Sequence, residues 1–305
     1  MQAVAFYIAY PLIWLIARLP FKLLYWISDF VYFLLYYVIR YRRETISKNL
    51  KIAFPDKSEK EIKQLAKRST KHFCDLFLEM IKSTAISKKE LQRRFVCDNV
   101  EEVNAYAKAG QPIVLMIGHQ ASYEWTIALD DYIDFRTYVV YKPIKNKYFD
   151  QFIRDVRSKF GSDLVPMKKA YNIIRESQKS AAEVGLFALV ADQAPKRASA
   201  QFFTNFFNRT SPVFMGGERM AQQYSMPVYF MRIEKVKRGF YKSHFDKITD
   251  DASKEKEWFV TDSFFEKLED QIKHQPEYYL WSHKRWKTTP TDSSRVVELS
   301  PRVPR

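Results

Sequence analysis

The sequence predicts an α/β protein, a mixed central sheet flanked by helices, carrying an N-terminal membrane-anchoring helix. Three observations lead there. Short apolar or β-rich runs recur as PIVLMIG (112–118), TYVVYKP (137–143), GLFALVADQ (185–193) and MPVYFMRIE (226–234). Between them lie stretches with helical spacing, and strands alternating with helices imply a layered sheet. The first forty residues are almost free of charge. A chain of 305 residues favours one large domain with additions. The expected division is an anchor over 1–40, a folded domain over 41–288 and a flexible tail over 289–305.

Residues 1–39 carry only Arg18, Lys22 and Asp29 as charges. LLYWISDFVYFLLYYVI (23–39) would span about 25 Å as a helix, just short of a bilayer core. An earlier apolar run, 3–17, is interrupted by Pro11. Neither run is followed by an A-x-A-like cleavage site, which favours a retained anchor over a cleaved signal. Arg40, Arg42, Arg43, Lys48 and Lys51 follow directly, marking the cytoplasmic side. The competing reading is a buried core helix. The heavy Tyr, Trp and Phe content favours an interfacial or shallow embedding, and Asp29 speaks against a simple lipid-facing helix, since an unpaired charge in a bilayer is costly.

Residues 59–82 read as an amphipathic helix, with Ile62, Leu65, Phe73, Leu76, Phe77 and Met80 three or four apart. His72 beside them reads as a surface or boundary histidine. PIVLMIG has the character of a buried strand. Helical spacing returns over 146–160, 168–180 and 216–225, and FYKSHFDKI (240–248) alternates as a strand. The tail from 288 is polar and proline-containing.

Composition narrows the function classes. Fifty Lys and Arg against 35 Asp and Glu give a net charge of +15, which suits an anionic partner. No RRM, KH or zinc-finger pattern supports nucleic acid. With 7 glycines and neither GxGxxG nor GxxxxGK[ST], nucleotide cofactors lose their usual sequence support. Cys74 and Cys97 form no CxxC, which points to a reducing compartment and no zinc cluster and leaves a single disulfide as the alternative. The histidines show no metal-ligand spacing.

Chemistry concentrates in three places. GHQASYEW (118–125) sets His119 after the first buried strand, where an α/β sheet places reacting groups. A helix started there would let Glu124 turn back to the imidazole, leaving the other ring nitrogen to take a proton from a hydroxyl. The alternative is a capping histidine. ADQAP (191–195) puts Asp192 and Gln193 at the same sheet edge, or in an ordinary turn. Basic residues, among them Arg154 and Arg157 in KPIKNKYFDQFIRDVRSKFG and the cluster HKRWK (283–287), either grip phosphates or face water.

In this order the motifs resemble the lysophospholipid acyltransferase superfamily, and within it the late acyltransferases of bacterial lipid A biosynthesis, the lauroyl- and myristoyl-type enzymes. The resemblance runs over about residues 20 to 288. RRETISKNLKIAFP (42–55) is similar to that family's Arg, Asn-Leu, Phe-Pro stretch. GHQASYEW matches its histidine-four-residues-acid motif, with Glu124 as the acid. Arg157 and Gly161 fit the next block, and VADQAP the acidic one. FFNRTSPVFMGGERMA (206–221) resembles a Phe-Phe-Gly segment, with Asn208 where glycine is usual. PEYYLWSHKRWK (276–287) resembles the family's C-terminal ending.

The resemblance implies transfer of a fatty acyl chain from an acyl thioester, that of acyl carrier protein, to a hydroxyl of a lipid A precursor. Residues 41–288 would be the acyltransferase domain at the cytoplasmic side of the inner membrane. His119 and Glu124 would be catalytic; Arg157, Asp192, Gln193 and Arg154 would bind substrate. No metal and no cofactor are needed. The partners implied are the carrier protein, an anionic glycolipid or phospholipid acceptor and the membrane, with no nucleic acid. The alternative acceptor is another membrane lipid, a lysophospholipid or an aminolipid.

Overall fold

In a computed structural model the described residues are 2–166, 169–177, 184–291 and 294–296. Two helices lead, α1 (Gln2–Arg18) and α2 (Phe21–Phe33), the latter continued by a π-helical turn over Leu34–Val38. Then follow α3 (Arg43–Ala53), α4 (Glu59–Lys82), α5 (Lys88–Arg94), β1 (Phe95–Cys97), α6 (Val100–Lys108) and β2 (Ile113–Ile117). A 3₁₀ segment, Tyr123–Asp131, leads to β3 (Arg136–Tyr141), α7 (Lys147–Arg157), β4 (Asp163–Pro166), α8 (Ala170–Ser177) and β5 (Gly185–Val190). The chain continues through β6 (Phe202–Phe206), β7 (Arg209–Val213), α9 (Gly216–Gln223), β8 (Val228–Lys237), β9 (Phe240–Thr249) and α10 (Phe259–His274), with a short β10 (Arg295–Val296).

The main sheet has the order β1-β9-β8-β2-β5-β3-β4 and is parallel except for the β8–β9 hairpin. β2 lies between β5 and β8, and all five of its residues are buried. Its pleat feeds two cores. Val114 and Met116 pack with α3, α9 and α10, whereas Ile113, Leu115 and Ile117 pack with Trp125, Ala128 and Phe95. The fold is therefore the mixed α/β sheet flanked by helices that the alternating runs predict.

Elements with strong local signals lie where the sequence puts them. α4 begins at a Ser58–Glu61 capping box and covers the amphipathic stretch end to end. The helix expected around 168–180 is described over Ala170–Ser177; residues 167–168 and 178–180 lie outside the described residues. In the tail, Arg295 and Val296 pair with Phe202 and Phe203, and residues 292–293 and 297–305 lie outside the described residues.

Asn208 has a local physical role. Phe207 and Asn208 form the two-residue turn between β6 and β7, with φ of 53° and 51°. A hairpin turn of this kind needs positive φ at both positions, which asparagine tolerates almost as glycine does. Asn208→Val is expected to lower stability by about 1–2 kcal/mol, read as a lower unfolding midpoint in detergent, while Asn208→Gly leaves it nearly unchanged.

Candidate active site

Two neighbouring parallel strands build the site. β2 and β5 pair in register, with Ile117 opposite Val190. His119 and Asp192 each lie two residues beyond that pair, so they emerge side by side at the carboxyl edge of the sheet. The imidazole Nδ1 lies 2.5 Å from Asp192 Oδ1, and the His119 amide donates to the same oxygen at 3.1 Å. Tyr279 donates its hydroxyl to Asp192 Oδ2 at 2.9 Å. Asp192 is buried and His119 nearly so. Burial alone would raise the Asp192 carboxyl. The His119 interaction and the hydrogen bonds from His119 and Tyr279 outweigh burial and hold it below the usual carboxylate range.

This arrangement sets the tautomer. A carboxylate on Nδ1 keeps the proton there and leaves the Nε2 lone pair available. Gln193, the next residue of the same turn, points its amide nitrogen at Nε2 from 2.9 Å. Tyr123 packs edge-on to the imidazole, ring centroids 4.7 Å apart. Gly118 carries no side chain here because a Cβ would run into Leu268 of α10.

Glu124 is elsewhere. The spacing predicts a return to His119, but its carboxylate takes a forked grip from Arg157: Nη2 to Oε1 at 2.8 Å, and Nη2 and Nε to Oε2 at 3.1 and 3.2 Å. Ala121 at φ 50° turns the chain before a 3₁₀ helix starts, so a regular α-helical return toward the imidazole does not form. The acid that faces His119 is Asp192. Arg157 thus meets a protein carboxylate, and Arg154 reaches the Tyr141 hydroxyl at 3.3 Å. Of the residues singled out in sequence, His119, Asp192 and Gln193 come together, Glu124 and Arg157 form a second pair, and Arg154 stands apart from both.

The segment after α10 straps this edge. Leu280 donates to the His119 carbonyl at 3.1 Å, and Ala121 donates to the Tyr278 carbonyl at 2.9 Å. Asn49 of α3 holds the Trp281 and His283 carbonyls at 2.8 and 2.7 Å. His283 accepts from the Ala194 amide at 3.2 Å; burial, with Arg285 nearby, pushes its pKa down to about 4. The HKRWK cluster is therefore not a solvent-facing phosphate grip along its whole length. Arg285 is buried over the faces of Phe206 and Phe265, and Trp286 stacks on Phe206. Lys284 and Lys287 remain exposed.

A further support was invisible in sequence. Glu79 of α4 is fully buried and accepts from the Tyr25 and Tyr241 hydroxyls at 2.8 Å each and from Ser122 at 3.4 Å. His72, expected near the surface, is also buried. Lys235 donates to its Nδ1, so its Nε2–H faces the Ala121 carbonyl, both at 3.3 Å. Hydroxyl and imidazole partners spaced over the whole chain carry no local signal.

Burial pushes the Glu79 carboxyl up to about 7, against the pull of Lys235. A raised acid binds its proton more tightly folded than unfolded. The stability it contributes is present in full below its unfolded value, near 4.5, and lost as pH rises through about 7. Glu79→Gln is expected to flatten this fall of the unfolding midpoint between those pH values, a slope worth up to roughly 3 kcal/mol in the native chain.

A family model described as bacterial lipid A biosynthesis acyltransferase matches residues 1–288. The chain belongs to that family. A search of curated proteins returns no significant match. The chain is thus an acyltransferase of lipid A biosynthesis, and its family points to a lipid acceptor. Its matched region includes both apolar helices, the His119–Asp192 edge and the strap from Pro276 to Lys287.

Proposed function

We propose that the protein moves a fatty acyl chain from acyl carrier protein to a hydroxyl of a lipid A precursor, at the cytoplasmic face of the inner membrane. The observation that carries the mechanism is the His119–Asp192 pair, with the imidazole Nε2 turned away from the carboxylate. His119 Nε2 takes the proton of the acceptor hydroxyl as its oxygen attacks the thioester carbonyl. The new C–O bond forms and the C–S bond breaks. The imidazolium, stabilised by Asp192, returns the proton to the leaving thiolate. No nucleophile of the protein is consumed. Gln193 rests on Nε2 and gives way to the hydroxyl when the acceptor binds. The Glu124–Arg157 pair is proposed as a positioning element in the wall of the acceptor site, not as the partner of His119.

The charge distribution supports an anionic substrate or an acidic carrier. A cleft of about 1310 Å³ is lined by Arg40, Arg42, Arg43, Lys48 and Arg209, among others. Arg42 donates to the Ser282 carbonyl at 2.8 Å, so one wall of the cleft adjoins the strap over the active edge. Such a basic cleft steers phosphorylated headgroups and acidic protein surfaces.

The test is reconstitution in detergent with acyl-carrier-protein thioester and lipid A precursor, reading product mass. The expected result is one added acyl chain with the native protein and none above background with His119→Ala. Turnover of a lysophospholipid or an aminolipid instead would replace the proposed acceptor. Undiminished turnover by His119→Ala would remove the proposed base.

A further inference from the structure

The helix whose length and apolarity would let it cross a membrane, Phe21–Val38, is laid along the catalytic domain. Its contacts with α4 run antiparallel. Tyr25 meets Glu79 at 2.8 Å, Ser28 meets Asp75 at 2.7 Å, Asp29 meets Lys71 at 3.1 Å, and Lys67 lies over the Tyr37 ring at 5.7 Å. From Tyr25 to Tyr37 this covers about 18 Å of helix. Arg238, on the β8–β9 turn, clamps the middle, bonding both Asp29 (2.8 Å) and Asp75 (2.6 Å). At the other end, Lys82 caps α1 through the Ala17 and Leu19 carbonyls at 2.8 and 2.7 Å. α1 rests on α7 through Phe6, which packs against Tyr148, Phe149 and Phe152.

Crossing a bilayer core of about 30 Å with α2 would therefore carry Lys67, Lys71 and Arg238 into hydrocarbon with it. Each intramembrane charge costs a few kcal/mol. The opposite face of α2 is built for lipid. Leu23, Trp26, Phe30 and Phe33 recur at helical spacing and are exposed. α1 adds Ile8, Leu12 and Leu15, also exposed. Cations rim this apolar sheet of side chains: Arg18 and Lys22 at the α1–α2 junction, and Arg40, Arg42 and Arg43 beyond the π turn. An apolar face with aromatic residues and a basic rim fits the anionic interface of a bilayer.

We propose that α1 and α2 lie in the plane of a single leaflet, as an amphipathic layer between lipid and the catalytic domain, so that the N-terminus and the catalytic domain share one side of the membrane. The occupant of the exposed face is lipid. This placement does not depend on which acceptor the active site uses.

Protease protection of the full chain carrying an epitope tag ahead of Met1 tests it in a Gram-negative host. The expected result is a membrane-bound protein whose tag survives protease in intact spheroplasts and is removed in inverted vesicles. Tag removal from intact spheroplasts, with the body protected, would mean that α2 crosses and would overturn the proposal. So would recovery of the protein in the soluble fraction. A second measurement uses the purified chain and vesicles of phosphatidylethanolamine and phosphatidylglycerol. The triple variant Trp26→Ser, Phe30→Ser, Phe33→Ser, with unchanged circular dichroism, is expected to bind roughly tenfold or more weakly. Unchanged binding would show that this face does not meet lipid.

Discussion

Asp192→Asn is expected to lower acyl transfer by about 10³- to 10⁴-fold while leaving the sheet edge folded. The carboxylate accepts from three donors: His119 Nδ1, the His119 amide and the Tyr279 hydroxyl. An asparagine side chain has one acceptor oxygen, so its amide nitrogen must face a donor or be paired with Nδ1. Pairing the amide with Nδ1 draws the imidazole into the tautomer whose proton is on Nε2, and that nitrogen then no longer accepts the hydroxyl proton. The loss therefore falls on kcat, with the KM of the acyl thioester little changed, and should approach that of His119→Ala. Glu124→Gln is the control. Its carboxylate meets Arg157 and not the imidazole, so it should retain substantially more activity than Asp192→Asn. The reverse ranking would return the orienting role to Glu124. Product formation by mass under single-turnover conditions separates the two.

Arg157→Ala should follow with a loss of about 10²-fold. Glu124 is only 10% exposed and Arg157 26%, so most of this pair is shielded from water. Desolvation of the guanidinium is outweighed by its attraction to Glu124, whose proximity raises the Arg157 pKa. Removing Arg157 strands a carboxylate that is only 10% exposed, at a cost of about 1–3 kcal/mol after allowance for the exposure that remains. Arg157→Lys should not restore the rate, because a point charge cannot reproduce the forked contact with both oxygens. Adding Glu124→Gln to Arg157→Ala is expected to recover part of the stability, since the stranded charge is then gone. Additive losses in that double variant would show that the two side chains act separately.

Much of the architecture was legible because it is written locally. PIVLMIG is uncharged over the span of one strand, and it becomes the central strand with both faces covered. EKEIKQLAKRSTKHFCDLFLEMIK carries its own cap and period, and its bounds hold to the residue. The hairpin of β6 and β7 and the last long helix, α10, escaped. The hairpin's turn is Phe207–Asn208 instead of a glycine pair, and α10 carries polar and charged residues through its apolar pattern. In the sequence Arg285 counts as one charge of a basic cluster, yet it is buried among aromatic rings that come from β6 and α10.

By itself the sequence determined that a histidine follows a buried strand, that an acid and an amide follow another, and that the ordered blocks belong to lipid A acyltransferases. Only the tertiary structure decided which acid faces the imidazole. Five residues of spacing favoured Glu124, but spacing along a chain constrains direction only while the chain stays regular. Here Ala121 bends it into a 3₁₀ segment, and Glu124 swings to Arg157. Asp192, 73 positions away, arrives beside His119 because parallel pairing matches Ile117 with Val190 and both chains leave the sheet in step. Register across a sheet is a property of the packed strands, and it is set by cores that close only when the whole chain has folded.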